Sequence, residues 1–181
     1  MRARGVNVNC FKPDSDRSVA RALARSGMIA AMYVVLTMAF RPISFGPIQF
    51  RIAEALMLLP VLTVDAVPGL FIGCLLANLL GGGVWFDVAL GSVATLLAAL
   101  FAYRWRRWPA LSAFSAVLFN GAIVGPVVYF AYVRAPGDPV NAAVLLSTIG
   151  TVALGELVVC YGLGLPMLHG LRRLPERLFG D

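Results

Sequence analysis

Apolar residues run along this chain in long, nearly unbroken stretches with short polar breaks between them. Six stretches stand out, at residues 18–40, 50–63, 66–80, 86–103, 109–133 and 141–168. A helix that crosses a bilayer needs about 20 apolar residues. The second and third stretches fall short of that, and Pro60 and Pro68 interrupt them. One bent helix in their place would give five spans instead of six. The runs are too long and too continuously apolar to alternate as β-barrel strands. The pattern therefore predicts an all-α membrane protein, a six-helix domain over residues 18–181 behind a basic, disordered extension at 1–17. No short apolar core with a small-residue cleavage site precedes the first long stretch, so a cleavable signal is not expected.

Composition supports the bilayer reading. Only 13% of the 181 residues are charged, against about 25% in a soluble domain, too few to cover a water-exposed globule. The charge distribution chooses between five and six spans. With six spans and an internal N-terminus, three basic groups face the cytoplasm: residues 2–25, then Arg104, Arg106 and Arg107, then Arg172, Arg173 and Arg177. Arg41, Arg51 and Arg134 remain outside. Five spans would put the second and third groups outside, against the positive-inside rule. Six spans with both termini cytoplasmic are expected, in a multi-pass protein of the cell membrane. The formal charge of +6 reads as a topology signal, and nucleic-acid binding is not expected.

Within this apolar frame a few polar residues are out of place. Gln49, Arg51 and Glu54 fall within six residues of one another, where the second helix begins on the outer side. Arg51 and Glu54 are three apart and can pair on one helix face. An ionisable group at mid-bilayer costs about 2.5–3.5 kcal/mol, and near the interface the cost is lower. An interfacial pair that pins a helix end is one reading. A ligand site is the other, favoured because a cation at a helix N-terminus opposes the helix dipole. Asn78 closes the third stretch, and "GGGVWFD", residues 81–87, forms a short outer loop. Asp87 is either a helix cap or part of the same site. Glu156 lies well inside the sixth stretch, where a carboxylate implies a polar cavity or a protonated hydrogen bond. Asn120 reads as glue between helices. Trp85, Phe86, Phe50, Tyr33 and Tyr129 supply flat surfaces. Together these groups describe an outward-facing pocket for a small, planar, polar ligand.

Other chemistry is not visible. There is no Ser/His/Asp set or His pair, and "LLGGGVWF" lacks the Lys-Ser/Thr ending of a phosphate loop. No enzyme activity, cofactor or metal is expected, and ATP-driven transport would need other subunits. Cys10, Cys74 and Cys160 have neither metal nor disulfide spacing, and His169 stands alone near the last stretch. Small residues recur four apart at Ala20 and Ala24, Gly27 and Ala31, Gly69 and Gly73, and Gly121 and Gly125. Such faces let helices approach closely in lipid. Those of the first helix could pack on another subunit.

The strings "GMIAAMYVVLT", "ISFGPIQFRIAEAL.LLP", "GLFIGCLLANLLGG" and "D.ALGSVATLLAAL" resemble the QueT family of substrate-binding S components of energy-coupling factor (ECF) transporters. The resemblance is strong over residues 27–100, and residues 46–54 are its most specific part. It implies a six-helix S component that captures a queuosine precursor, a 7-deazaguanine base, from outside. It implies docking on a membrane coupling subunit that carries two ATPase subunits. It also implies that small residues of the first helix form the docking face, here Gly27 and Ala31, with glycine where alanine is usual. The substrate-site residues expected from both lines are Gln49, Arg51, Glu54, Asn78, Trp85, Asp87 and Glu156. Rival readings are an S component for another small molecule or vitamin, a stand-alone secondary transporter using Glu156 for protons, and a membrane structural protein.

Overall fold

The computed structural model describes residues 15–44 and 50–173. Each of the six apolar stretches contains helix, and the described residues contain no strand. Helix α1 is Ser15–Ala39, followed by a one-turn helix α2, Arg41–Ser44. A 3₁₀ helix spans Ile52–Val61. Helix α3 is Ala66–Gly81 and α4 is Trp85–Arg104. Two long, locally widened helices complete the bundle, α5 at Pro109–Val133 and α6 at Ala142–Leu171. Four of these helices are long and apolar enough to cross a membrane, and the 3₁₀ helix and α3 are shorter apolar helices. The first helix begins three residues earlier than the sequence pattern placed it. Residues 1–14 of the expected extension lie outside the described residues.

The second and third stretches are two helices, not one bent helix. Residues 62–65 turn the chain between them. Backbone bonds of the tight helix type, such as Glu54 N to Arg51 O at 2.9 Å and Leu62 N to Leu59 O at 2.9 Å, bracket the 3₁₀ helix. Its ten residues extend about 20 Å at 3₁₀ rise, where an α-helix would reach about 15 Å. The segment is the centre of the molecule, with every residue from Ala53 to Val61 buried. A narrow helix buried all round needs close neighbours. At Gly164 of α6 an added Cβ would lie 2.9 Å from Leu58 Cδ1 and 3.2 Å from Ala55 O, so a larger residue would have to push the Leu58 side chain and the 3₁₀ backbone aside.

The small-residue pairs divide into two kinds. Gly69 and Gly73 seat α3 on α1, because added Cβ atoms would come 2.7 Å from Ser26 O and 2.8 Å from Tyr33 Cβ. Gly125 seats α5 on α6, where a Cβ would lie 2.8 Å from Ile149 Cα. These serve packing inside the bundle. Gly27 has nothing within 4 Å of such a Cβ, and Ala20, Ala24 and Ala31 are exposed on the same helix. The opposite face of α1 buries Ile29, Ala30, Tyr33 and Thr37. The helix thus presents small residues outward, flanked by the exposed Leu23, Met28 and Val35.

Alternating helix direction gathers the polar positions at one end. The start of the 3₁₀ helix, the end of α3 and the start of α4 meet there. At the other end Arg25 pairs with Asp65 at 2.7 Å, and Ser26 Oγ donates to Asp65 O at 2.8 Å. This ties α1 to the turn between the 3₁₀ helix and α3.

Candidate functional site

Arg51 precedes the 3₁₀ helix with extended backbone, and its side chain turns inward and is 5% exposed. Its Nη2 lies 3.7 Å from Asp87 Oδ1. Asp87 stands in the first turn of α4, whose N-cap is Val84, and it is fully buried. Tyr132 of α5 donates its hydroxyl hydrogen to Asp87 Oδ2 at 3.3 Å, and Val84 N donates to the same phenol oxygen at 3.3 Å. Asn78 at the end of α3 donates to Asp87 O at 3.4 Å and to Cys74 Sγ at 3.5 Å. Thr95 Oγ1 approaches the same sulfur at 3.2 Å. One helix start thus carries a carboxylate met by Arg51 and Tyr132, from two other segments, while Asn78 holds the same residue's backbone carbonyl. A buried charge is tolerated when such partners surround it.

A second group lies deeper. Glu54 is fully buried, and the Tyr33 hydroxyl of α1 donates to its Oε1. Glu54 Oε2 is buried without a hydrogen-bond partner among the described residues. Glu156 of α6, 6% exposed, is its electrostatic neighbour. Cys160 Sγ lies 3.5 Å from the backbone carbonyl oxygen of Glu54 and 4.0 Å from Glu156 Oε2. Asn120 of α5 reaches toward both carboxylates. Asn120 opens a π-helical turn, Asn120–Val124, and Cys160 opens another, Cys160–Gly164. A π turn widens a helix locally and re-aims its side chains, and such turns recur at functional sites.

Glycines give this cluster its room. A Cβ on Gly91 would lie 3.1 Å from Asn78 Nδ2, 3.5 Å from Asp87 Oδ1 and 4.0 Å from Arg51 Nη1. A Cβ on Gly83 would lie 3.3 Å from Asp87 Oδ2. Gly82, with φ of 77°, ends α3 in the left-handed region, and Gly83 N bonds to Asn78 O at 3.0 Å. The triple glycine therefore makes a turn in close contact with the buried carboxylate.

Residues 23–173 match the family described as QueT transporter. The chain belongs to the QueT transporter family. A 72-residue stretch is 39% identical to the queuosine precursor transporter QueT of Lactococcus lactis subsp. cremoris. That stretch covers 39% of this chain and 42% of the relative, so the match spans less than half of either protein. No solved structure matches. QueT proteins are transporters, and the apolar helices fit a multi-pass membrane protein.

In this QueT chain, Arg51, Glu54, Asn78, Asp87 and Glu156 converge in the buried cluster. Gln49 lies outside the described residues. Trp85 does not join them. It is 68% exposed and stacks on Phe86, with ring centroids 3.5 Å apart. Three expectations change in detail. A pair between Arg51 and Glu54 through their three-residue spacing was one of two readings. The ion pair at 3.7 Å is instead with Asp87, and Glu54 bonds Tyr33, although Arg51 and Glu54 remain electrostatic neighbours. Asp87 does not cap α4, because its carboxylate is turned inward. Asn120, read as glue between helices, lies at the carboxylates. Sequence reasoning missed Tyr132, Cys74, Thr95 and Gly91. Only Gly91 left a signal, a lone glycine within a helical pattern.

Proposed function

We propose that this chain captures a queuosine precursor, a 7-deazaguanine base, at the cluster around Arg51 and Glu54. In this reading it is the S component of an ECF importer. The observation that carries the proposal is the buried Glu54, whose Oε2 lacks a hydrogen-bond partner among the described residues, inside a member of a transporter family. A guanine-like edge offers paired N–H donors that a carboxylate accepts, and a carbonyl that Arg51, Asn78 or Gln49 meets. Tyr33, beside Glu54, is better placed than Trp85 to lie against the ring. The six helical stretches cross the membrane with both termini in the cytoplasm, so the Arg51 end opens outward. A coupling membrane subunit with two ATPases supplies the energy, and it docks on Gly27 and Ala31.

The base is expected to stabilise the detergent-solubilised chain against heat without ATP, while thiamine, riboflavin and biotin leave it unchanged. Equal stabilisation by a vitamin would overturn the substrate assignment.

Glu54→Gln tests the residue at the centre. It keeps the shape and removes a charged acceptor, and hydrogen bonds to charged groups contribute about 1.5–3 kcal/mol. Affinity is expected to fall about ten- to a hundred-fold in a titration of monodisperse protein. A loss of stability with unchanged affinity would make Glu54 a structural partner of Tyr33 alone.

A further inference from the structure

Helix α4 ends at Arg104 and α5 begins at Pro109, and both are long and apolar enough to cross a membrane. The turn between them, residues 105–108, therefore lies at a membrane surface whichever way the chain is inserted. It is firmly built. Trp105 N bonds to Phe101 O at 2.9 Å and Trp108 N to Trp105 O at 2.8 Å. The buried Ser112 Oγ lies 3.0 Å from both Ala102 O and Trp105 O. Arg104, Arg106 and Arg107 are exposed. Among the described residues no carboxylate pairs with them, because Asp65 at the same end is taken by Arg25 at 2.7 Å. Arg106 lies over the Tyr103 ring, 5.0 Å from its centroid. An open recess of about 470 Å³ is lined by residues 103–108 alone. Arg107 and Trp108 also line a second groove of about 490 Å³, which runs along α5 past Leu111 and Phe114 and is bordered by Tyr161 of α6. The Tyr161 hydroxyl donates to Ala110 O at 2.8 Å. Trp108, Leu111, Phe114 and Leu118 are exposed, and the last three share one helix face by their spacing of three and four.

We propose that the arginine turn and this groove together bind one phospholipid with an anionic headgroup. Lipid tails cover any apolar face of a membrane protein without regard to headgroup charge. Here the apolar groove and the basic recess share Arg107 and Trp108, so a tail lying along Leu111 and Phe114 brings its phosphate to the arginines. A guanidinium meets a phosphate through two parallel N–H bonds. A zwitterionic headgroup carries its own cation into a recess that already holds three. An anionic headgroup brings a net negative charge that the recess lacks, and basic residues near an anionic lipid surface attract it. Trp105 and Trp108 favour the headgroup level, which sets the recess at the depth of the phosphates. The site lies at the end of α4 away from Asp87 and does not rest on the substrate reading.

The test titrates the full chain, purified in a neutral detergent, with palmitoyl-oleoyl phosphatidylglycerol, with phosphatidylcholine of the same acyl chains, and with glycerophosphoglycerol, the anionic headgroup without chains. Bound lipid is counted by native mass spectrometry. Phosphatidylglycerol is expected to saturate a single site and to bind about tenfold or more tighter than phosphatidylcholine. Arg106→Gln with Arg107→Gln is expected to bring the two lipids within about threefold of each other. Arg41→Gln with Arg134→Gln removes the same charge at the other end of the bundle and is expected to keep the preference. Equal binding of both lipids by the parent chain overturns the site. A control pair that loses the preference as fully as the Arg106 and Arg107 pair also overturns it, because the attraction is then to net charge alone. Glycerophosphoglycerol bound as tightly as the whole lipid overturns it too, since the groove then contributes nothing and the arginines hold a free phosphate. Absence of any retained lipid overturns it and leaves the turn as a surface for a protein.

Discussion

Asp87→Ala is expected to destabilise the folded chain by about 3–5 kcal/mol, the range seen when one partner of a buried ion pair is removed. Asp87 is fully buried and Arg51 is 5% exposed, so water cannot replace the lost carboxylate. The substitution also strips the Tyr132 hydroxyl of its acceptor at 3.3 Å. This loosens the contact between the end of α5 and the turn before α4. Asp87→Asn keeps the shape and an acceptor oxygen while removing the charge, and is expected to lie between the parent and the alanine variant. Unfolding of monodisperse protein in detergent measures both. An alanine variant as stable as the parent would show that the pair at 3.7 Å contributes nothing to the fold.

Asp87 also marks how far sequence reasoning reaches. Its type and position drew it into a candidate site, yet spacing alone left a helix cap equally open. The decision needed its partners, which come from residues 51, 78 and 132. No local pattern links those positions. The same limit applies to Tyr33 and Asn120. A tyrosine in an apolar run packs or stacks by default, and a lone asparagine joins helices by default. Only the meeting of α1, α5 and the 3₁₀ helix makes them neighbours of Glu54. Trp85 fails for the opposite reason. Its place two residues before Asp87 suggested a shared site, but residues two apart on a helix point about 200° apart, to nearly opposite sides. Asp87 faces inward and Trp85 outward.

The helix boundaries were legible because polar breaks between long apolar runs are a strong signal. The 3₁₀ form of Ile52–Val61 was not. A segment buried on every side has no polar face, so its period leaves no trace in the pattern. What the sequence did contain was the shortness of the run. A 3₁₀ helix covers more length with fewer residues, and that reconciles ten residues with a central position in the bundle. The π turns at Asn120 and Cys160 are equally silent in the pattern, since one widened turn shifts the apolar face by less than its own width. The glycine pairs behave differently. Their spacing is visible, but which of them face inward depends on the neighbouring helix. Gly69 and Gly73 turned out to be internal, and Gly27 with Ala31 faces out.

That outward face leads to the prediction with the largest effect on transport. On the proposed S-component reading, Ala31→Leu, and more strongly the double variant with Gly27→Leu, is expected to abolish uptake in cells and co-purification with the proposed coupling subunit. In lipid the main attraction between helices is close van der Waals packing, which small residues permit and a leucine prevents. The structure makes the experiment clean. Ala31 is exposed, and a side chain begun at Gly27 meets nothing within 4 Å, so the bundle has room for both leucines. The buried cluster lies on the other side of α1, reached through Tyr33. Affinity of the isolated variant for the base is therefore expected to stay within about threefold of the parent, under about 1 kcal/mol. Gly73→Leu is the contrasting control. Its Cβ would lie 2.8 Å from Tyr33 Cβ, so it is expected to lose folding, binding and uptake together. Should Ala31→Leu behave like Gly73→Leu, the face is internal packing. Should it leave uptake intact, the coupling subunit docks elsewhere.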